Sequence, residues 1–329
     1  MATPAHRELA RRLPVLAARA EVLAGIRSFF RGQRFLEAET PARVVCPGLE
    51  PHLVALPAGA DGWLITSPEL HLKRLVAAGA PRVFELARCW RGDERGAQHL
   101  TEFTMLEWYR ARAGLDALVD DCAALLPAAA RAAGRDPAAV PGCDLTLAPE
   151  RLTVREAFER WAGIDLAACR GRDALAEAAR RLEVATAGDD SWDEVFFRIF
   201  LARVEPHLGR DRMTFLSEFP ASQAALARVR DDAAWPVALR FELYAAGIEL
   251  ANAFDELTDP EEQRRRHQAD RTARRAAGRE VPELDEEFLA ALEAGFPPCA
   301  GIALGVDRLV ALVLGLDGAR DAVGFPEEV

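Results

Sequence analysis

The chain has 329 residues, which is enough for one large domain or two modest ones with a sizeable buried core. Half of the residues are apolar and 28% are charged, as in ordinary soluble globular proteins. The formal net charge of -11 argues against a general nucleic-acid binder, whose affinity depends on neutralising phosphates, although it does not exclude a local basic patch.

The first predicted elements are two helices separated by short extended segments. Residues 15–32 have the apolar periodicity of an amphipathic helix. The stretch "RFLEAETP" follows and ends at a proline, which cannot extend a helix. Residues 62–79 predict a short strand and then a helix, with Ser67 as its N-cap and Pro68 in its first turn.

Residues 84–110, "FELARCWRGDERGAQHLTEFTMLEWYR", predict a β-hairpin whose two strands flank a polar loop. Because side chains alternate between the faces of a strand, Phe103, Glu107 and Tyr109 share one face. Arg91 lies near the loop, where further charged residues and His99 gather. The hairpin is either a solvated charged surface or a site that closes on a charged ligand, and these residues leave both interpretations open.

The next part of the chain predicts helices and then strands. The Ala/Leu-rich residues 115–135 and 153–182 predict helices, and the Pro/Gly-rich link between them predicts a surface loop or, alternatively, a hinge. "MTFLSEFPASQAALARV" predicts a strand, a break at proline and more helix. "VALRFELYAAGIELANAF" predicts two strands around the turn "AAG".

The last predicted elements are two helices and a strand. "TDPEEQRRRHQADRTARRAAG" predicts a capped helix with an arginine-rich surface. "CAGIALGVDRLVALVLGL" predicts a strand, a glycine and a buried helix. Because the strands are mostly linked as hairpins and the helices come in blocks, the pattern favours an α+β fold. We expect an antiparallel sheet flanked by helices and not a doubly wound parallel sheet.

Cysteine and lysine usage bears on the environment of the protein. The six cysteines show no C-x-x-C spacing and read as reduced thiols of a cytoplasmic protein: Cys46, Cys89, Cys122, Cys143, Cys169 and Cys299. No apolar run approaches the roughly 20 residues that cross a bilayer. Lys73 is the single lysine among 41 basic residues. Genome bias towards arginine is the favoured explanation, and avoidance of self-modification by a lysine-directed enzyme is the alternative.

Carboxylates lie in the otherwise apolar stretch "FELYAAGIELANAFDEL". The polar members are Glu242, Glu249, Asn252, Asp255 and Glu256. Buried carboxylates are costly unless a cation or a metal neutralises them. Oxygen ligands suit Mg²⁺, which commonly binds one or two carboxylates together with substrate phosphates. The alternative is that these acids cap strand ends or pair with local arginines.

The helix in "GIALGVDRLVALVLG" places a charge in a buried setting. Asp307 lies near the helix N-terminus, where a negative charge is favoured. Arg308 needs an anionic partner, which is either a protein carboxylate or a phosphate. Two arginines, paired acids for Mg²⁺ and aromatic faces for a base are what a nucleoside triphosphate requires, and the chain contains no P-loop sequence. The remaining carboxylates indicate a second, cationic ligand.

These segments together resemble the catalytic domain of class II aminoacyl-tRNA synthetases of the lysyl type, from about residue 15 to 325. "FLEAETP" is similar to motif 1, "FELARCWRGDE…HLTEFTMLEWY" to motif 2 and "GIALGVDRL" to motif 3. "TSPELHLKRL" and "GIELANAFDEL" resemble the lysyl branch. The resemblance implies one catalytic domain over residues 1–329, with a mainly helical insertion at about 115–210 between motifs 2 and 3.

Two features resemble one branch of this family. Only some 34 residues precede "FLEAETP", so we expect no anticodon-binding domain of the kind that lysyl-tRNA synthetases carry there. Ala303 stands where those enzymes usually have glycine. Both features resemble the paralogues that attach (R)-β-lysine to a lysine of translation elongation factor P. The resemblance implies that factor as partner, a homodimer through motif 1, a cytoplasmic location, and neither tRNA nor membrane as partner.

The resemblance also implies ATP and Mg²⁺ as cofactors and a role for each candidate residue. Arg91 is the expected catalytic residue, which binds the α-phosphate and the substrate carboxylate. The expected ATP contacts are Arg91, Asp93, His99, Phe103 and Arg308, with the adenine between Phe103 and Arg308 and the outer phosphates near His99. The expected metal ligands are Glu242 and Glu249. The expected substrate contacts are Ser67, Glu69 at the nearer amine, Glu107, Tyr109 and Glu256 at the distal ammonium, Asn252 at the carboxylate, and Ala303 in the floor.

Motif 2 departs from the family at two points. Arg91-Gly92-Asp93, with Glu94 beside it, replaces Arg-x-Glu, so the adenine contact of that glutamate is expected to be weakened or shifted. "HLTEF" replaces "HNPEF", and the loss of the proline implies a different closure of the loop.

The implied reaction forms an acyl-adenylate and then an amide with a lysine side chain of the factor. One alternative is a truncated lysyl-tRNA synthetase-like enzyme that charges a different acceptor. The segment 264–279, with seven arginines against one aspartate, supports it unless that face is merely solvated. The other alternative is a non-catalytic synthetase-like regulator, against which the retained charged residues argue.

Overall fold

A nine-stranded sheet runs through the computed structural model, which describes residues 4–93, 96–231 and 235–326. Its strands are β1 (Leu36–Glu37), β4 (Arg82–Trp90), β5 (Glu102–Ala111), β6 (Glu150–Thr153), β7 (Thr214–Pro220), β8 (Val229–Arg230), β9 (Val237–Ala245), β10 (Ile248–Asp255) and β11 (Cys299–Gly305). Strands β2 (Arg43–Val44) and β3 (Trp63–Leu64) form a separate pair.

Helices flank this sheet. They are α1 (Pro4–Gly32), α2 (Glu69–Ala77), α3 (Leu115–Ala132), α4 (Val154–Ala157), α5 (Arg172–Arg181), α6 (Trp192–Ile199), α7 (Pro260–Ala276), α8 (Glu286–Glu293) and α9 (Val306–Leu314). Helices α4 and α6 continue into the π-helical turns Phe158–Ala162 and Phe200–Val204. Short 3-10 turns are Pro137–Ala139, Glu205–His207, Ala221–Gln223 and Ala319–Ala322.

The strand order is β1-β4-β5-β11-β10-β9-β7-β6, with β8 beside β9. All pairs from β4 through to β7 are antiparallel. The edge pairs β1/β4 and β6/β7 are parallel, which makes the complete sheet mixed. The predicted α+β class, with an antiparallel sheet flanked by helices, is confirmed for the central strands.

The main apolar cluster lies between the sheet and helices α1, α3 and α9. Phe30, near the end of α1, is fully buried and stacks on Phe84 of β4 with ring centroids 4.6 Å apart. Trp108 of β5 meets the same ring at 5.2 Å. The apolar stripe of α9 points into this cluster, so the buried helix predicted at motif 3 is confirmed.

Asp307 joins three elements at the start of α9. Its Oδ2 atom accepts a hydrogen bond from the backbone N–H of Thr104 at 2.8 Å. Its Oδ1 atom pairs with Arg19 of α1 at 2.6 Å, and both side chains are almost fully buried. The helix N-terminus also favours the negative charge, so this acid fixes α1, β5 and α9 relative to one another.

Helices between residues 154 and 208 form a second apolar cluster against β7 and β9. Phe158 and Phe196 stack within it at a centroid distance of 4.7 Å. Helix α3 belongs to the main cluster instead. The single catalytic domain with a helical insertion at about 115–210 stays a prediction.

Two helix boundaries near the N-terminus differ from the sequence-based expectation. Helix α1 begins at Pro4 rather than at residue 15 and continues through Pro14. The prediction of Ser67 as N-cap is wrong, because α2 begins at Glu69 after Pro68, without a side-chain cap. The proline fixes the backbone at the entry to the helix, and the hydroxyl of Ser67 is left for another contact.

In two further segments the structure contains less helix than the sequence predicts. Residues 153–182 break after the π-helical turn at Gly163, whose φ of 65° ends the helix, and α5 starts later at Arg172. The helix expected after Pro220 is wrong: a 3-10 turn is followed by β8. Pairing of β8 with β9 decides the conformation there, and sequence periodicity does not register such pairing.

Helix α7 is confirmed, with Asp259 as its N-cap and Pro260 in its first turn. Part of its arginine-rich surface is neutralised within the chain. The ion pairs join Arg264 to Glu286, Arg265 and Arg266 to Glu262, and Arg271 to Glu283. Arg274 is not on the surface, since it is 4% exposed and donates to the backbone oxygens of Glu50 and Leu53.

We expect Phe30→Ala to lower the free energy of unfolding by about 3–5 kcal/mol, because the change leaves a cavity among packed rings. Urea denaturation measures the loss. The matched control is Phe325→Ala, whose side chain is 83% exposed, with a change within about 0.5 kcal/mol. Equal losses in the two variants would contradict this description of the core.

Candidate functional site

One row of paired residues crosses the centre of the sheet. Glu107 on β5 pairs with Ala303 on β11, and Ala303 pairs with Asn252 on β10. Asn252 pairs in turn with Glu242 on β9. Partners in a row project from the same face of a sheet. These four side chains, distant in sequence, therefore form one floor.

A cavity of about 400 Å³ lies over this floor. Most of the predicted site residues line it: Ser67, Glu69, Arg91, His99, Phe103, Glu107, Glu242, Glu249, Asn252, Ala303 and Arg308. Tyr109 and Glu256 are buried and do not line this cavity. Asp93 is exposed and also outside this lining, so its expected ATP contact stays a prediction. Glu94 lies outside the described residues.

The hairpin of β4 and β5 supplies one wall of the cavity, and the predicted hairpin is confirmed. The Arg91 guanidinium lies over the Phe103 ring at 5.3 Å from its centroid. Its Nε atom also approaches the backbone oxygen of Thr66 at 3.4 Å. The hairpin thus turns an aromatic ring, an arginine and Glu107 towards the cavity and not towards bulk solvent.

Arg308 connects α9 to the motif 2 loop and to β10. Its guanidinium donates to the backbone oxygens of Gln98 at 3.1 Å and of Glu249 at 2.8 Å. It also lies 2.7 Å from Nε2 of His99. The Glu249 carboxylate lies 3.8 Å from the guanidinium, which agrees with a protein carboxylate as its partner. A phosphate partner stays a prediction.

A β-bulge brings Glu249 to the cavity. Strict alternation along β10 would put Glu249 and Asn252 on opposite faces. The pairing with β9 shifts register between Glu249 and Ala251, so one extra residue is accommodated there. Both side chains consequently line the same cavity.

Glu242 and Glu249 form the acidic wall beside the arginines. Burial raises the pKa of Glu242 to about 7, an effect that Arg240 opposes and Glu249 strengthens. Tyr244 donates to Glu242 at 2.7 Å. Within the described residues no group of three acidic, histidine or cysteine side chains could hold a metal. Two carboxylates completed by phosphate oxygens nevertheless fit the ligand preference of Mg²⁺.

A second acidic group lies at the other end of the floor. The Lys73 ammonium is 2.6 Å from Glu69 and 2.6 Å from Glu256, and it is 1% exposed. The Tyr109 hydroxyl donates to Glu107 at 2.5 Å. Three carboxyl groups therefore lie around one internal cation, so they cannot all be ionised without excess negative charge at this end of the site.

Burial shifts the pKa values in this group. It raises the pKa of Glu256 to about 8, although Lys73 lowers it. It also raises the pKa of Glu107 well above its ordinary value, with Glu69 adding to the effect. Burial alone would lower the pKa of Lys73, but the charges of Glu256 and Glu69 raise it instead. A cationic ligand would stabilise the ionised acids in the same way.

Gly301 on β11 gives these groups room to approach the sheet. A Cβ atom there would lie 2.2 Å from Cε1 of Tyr109 and 2.4 Å from Oε1 of Glu256. Any side chain at this position would displace both residues.

Sequence reasoning missed three contributors to the site. Lys73 was noted only as the single lysine, and its place four residues after Glu69 on α2 could have indicated the pair. Arg240 donates to Glu242 and, at 3.2 Å, to Asn252, and its spacing of two from Glu242 on one strand was a usable signal. Glu205 interacts electrostatically with Glu242 from a distant 3-10 turn, which no local pattern could reveal.

The comparison with family models matches nearly the whole chain. Residues 9–329 match the model described as tRNA synthetases class II (D, K and N). In the described residues no helix combines the length and apolar character of a membrane-spanning segment. All six cysteines are free thiols, as predicted.

Individual relatives are similar over almost their full length. The chain is 39% identical to the elongation factor P--(R)-beta-lysine ligase of Proteus mirabilis over 322 residues. It is 40% identical to the ligase of that name from Yersinia enterocolitica and 41% identical to one from Klebsiella pneumoniae. These alignments cover 94–95% of this chain and 94–95% of each relative.

We expect Lys73→Met to cost roughly 3–5 kcal/mol of unfolding free energy, because the change removes the counter-charge of buried Glu256. The pKa of Glu256 then rises above about 8, so the folded state keeps its proton to higher pH than the unfolded state does. Stability falls with rising pH wherever the folded state binds more protons. The variant should therefore lose more stability at pH 9.5 than at pH 7, as measured by urea denaturation.

The matched comparison is the double variant Lys73→Met/Glu256→Gln. It should lack this additional loss at high pH, because the titrating group is gone. An identical pH dependence in the single and double variants would contradict the assignment of the pair.

Proposed function

We propose that this chain is an ATP-dependent ligase. The premise is that it belongs to the class II tRNA synthetase family and, within it, to the elongation factor P--(R)-beta-lysine ligases. It activates (R)-β-lysine and joins it to a lysine side chain of elongation factor P. The observation that carries this proposal is that one cavity is lined by both cationic and acidic side chains, from which we infer a cationic and an acidic part. Arg91 and Arg308 border one part, and Glu69 and Glu107 border the other.

The cationic part suits ATP. The adenine would lie between the Phe103 ring and the Arg308 guanidinium, since both border the cavity. Arg91 would bind the α-phosphate, and His99 would face the outer phosphates. Mg²⁺ would be held by Glu242 and Glu249 and would offset charge on the phosphates.

The acidic part suits a substrate with two ammonium groups. Glu69 would bind the nearer amine, while Glu107 and Glu256, braced by Tyr109, would bind the distal ammonium. Asn252, which accepts from Arg240, would orient the carboxylate. Ser67 borders the same space, and the methyl group of Ala303 would shape the floor between the two ends.

The reaction then proceeds in two steps. A carboxylate oxygen of the substrate bonds to the α-phosphorus of ATP, and the bond to pyrophosphate breaks. Arg91 stabilises the negative charge that develops on the α-phosphate, while the surrounding groups hold the reactants in line. An amine of the acceptor next bonds to the acyl carbon, and AMP leaves. No nucleophile of the enzyme takes part.

The proposal includes a homodimer and a cytoplasmic location. Leu36 in motif 1 and nearby Val45 are each more than half exposed, which suits an interface at that edge. A translation factor as acceptor and six free thiols suit the cytoplasm. Glu262, Glu283 and Glu286 pair with four of the seven arginines at 264–279, which lowers the positive charge that a tRNA-like acceptor would need.

We expect Arg91→Ala to lower ATP–pyrophosphate exchange by roughly 10²–10³-fold, because it removes charge stabilisation made in the transition state. The matched control is Arg88→Ala, which removes a half-exposed arginine of β4 that pairs with Glu102. That control should exchange at nearly the wild-type rate. Normal exchange in the Arg91 variant would remove this residue from the chemistry.

We expect pyrophosphate exchange to prefer (R)-β-lysine over L-α-lysine and Ala303→Gly to reduce the preference roughly tenfold. The reason is that one methyl group in a fitted floor discriminates by about 1–3 kcal/mol. Ala111→Gly, at the far end of β5, serves as control. Preference for L-α-lysine in the wild type would leave the fold unaffected and reopen the choice of acceptor. Absence of pyrophosphate exchange with both (R)-β-lysine and L-α-lysine would favour the alternative of a non-catalytic synthetase-like regulator.

A further inference from the structure

A second cavity of about 610 Å³ adjoins the first. Its walls come from the loop at 50–52, from α6, from the 3-10 turn at 221–223 and from α7. The residues that border both cavities are Glu50, His52, Phe197, Ala225 and Arg240. The two spaces therefore meet along one shared boundary, and the second has no part in the proposed binding of ATP or β-lysine.

Glu50 occupies this boundary. Its Oε2 atom is buried and has no hydrogen-bond partner within the described ranges. A Cβ atom on Gly48, which has a φ of 121°, would lie 2.7 Å from that oxygen. The loop therefore leaves space for the carboxylate by placing a glycine in a conformation that other residues rarely adopt. A buried carboxylate oxygen without a hydrogen-bond partner is costly and indicates a ligand or a proton at this position.

Charged groups that line either cavity lie near the carboxyl of Glu50. Burial raises the pKa of its carboxyl, Glu69 and Asp270 add to this effect, and Arg91 opposes it. Arg274 donates to the backbone oxygen of Glu50, and the thiol of Cys46 is a further titratable neighbour. The carboxylate thus lies within electrostatic reach of the activation residues on one side and of α7 on the other.

The second cavity is acidic once its internal pairs are counted. Among the described residues of its wall, the acids are Glu50, Asp193, Glu262 and Asp270. Arg240 is paired with Glu242 outside this cavity, and Arg265 and Arg266 share the one carboxylate of Glu262, so four acids face two arginines. Asp270 remains in the wall, with a pKa raised to about 6 by burial in spite of Arg266 and Arg274. A cationic side chain that enters this space would meet carboxylates before it reached the first cavity.

The proposed ligation needs a second route to the acyl carbon. ATP and β-lysine fill the first cavity, and the attacking amine belongs to another protein. We propose that the second cavity admits the acceptor lysine side chain and that Glu50 is the catalytic residue that takes its proton. This inference rests on the proposed function and assigns the acceptor subsite within it.

The proposed step transfers the acyl group from the adenylate to the acceptor nitrogen. The acceptor arrives as an alkylammonium and transfers one proton to the Glu50 carboxylate. The freed nitrogen lone pair bonds to the acyl carbon, and the acyl C–O bond breaks with its electrons leaving on AMP. The nitrogen releases its second proton to solvent as the amide forms. General-base assistance of this kind contributes about 10²–10⁴-fold.

The test is Glu50→Gln, with the two half-reactions measured separately. Pyrophosphate exchange with (R)-β-lysine reports activation, and single-turnover transfer from preformed adenylate to elongation factor P reports the acceptor step. We expect transfer to fall at least about 100-fold while exchange falls far less. In the wild type, protonation of Glu50 should slow the transfer step at acid pH. The variant should not show this decline. Glu261→Gln removes an exposed acid in the first turn of α7 that borders neither cavity, and as the matched control it should leave both rates nearly unchanged.

A second variant keeps the inference testable if Glu50→Gln folds poorly. Ser222→Trp narrows the second cavity at its wall and should block transfer but not exchange. Parallel losses of exchange and transfer in Glu50→Gln would overturn the proposal, because Glu50 would then bind the substrate being activated. Unimpaired transfer in either variant would also overturn it. Absence of exchange in the wild type would instead contradict the proposed function itself.

Discussion

The register between β5, β11, β10 and β9 is the constraint on which the site depends. It sets Glu107, Ala303, Asn252 and Glu242 in one row although up to 196 residues separate them in the chain. A shift of one residue in any pair would turn one member of the row to the opposite face. The two-residue turn at Ala246–Gly247, with positive φ at both positions, and the bulge at Glu249 hold this register on one side. The Asp307 contacts with Arg19 and Thr104 hold the other side.

Charge is distributed over this floor so that each buried acid has a cation or a hydrogen-bond donor within reach. Arg240 and Tyr244 accompany Glu242, and Lys73 lies between Glu69 and Glu256. Burying an acid without such a partner would cost several kcal/mol. The compensation is incomplete at the Lys73 end, where three carboxylates share one ammonium. A diammonium substrate would supply the missing positive charge and would stabilise the ionised form of the acids that bind it.

The two adjoining cavities would also suit two successive reactions with different requirements, namely activation of the substrate and transfer to the acceptor. The first cavity must exclude water while charge develops on the α-phosphate, because electrostatic stabilisation is stronger away from solvent. The acceptor step must instead admit a side chain from another protein. A shared boundary at Glu50 and Arg240 would allow both, since the attacking amine can approach without displacing the groups that hold the adenylate.

The sequence by itself determined most element types and indicated most of the residues that line the first cavity. Alternation in β5, the turn residues between β9 and β10 and the apolar stripe of α9 are local patterns, and each was predicted correctly. The tertiary structure decided which of these residues meet. The bulge at Glu249, the β8 pairing that replaced an expected helix, the burial of Arg274 and the Lys73–Glu256 pair all depend on contacts between distant segments. Local periodicity reports which face of an element is apolar, but only the packed fold specifies what that face meets.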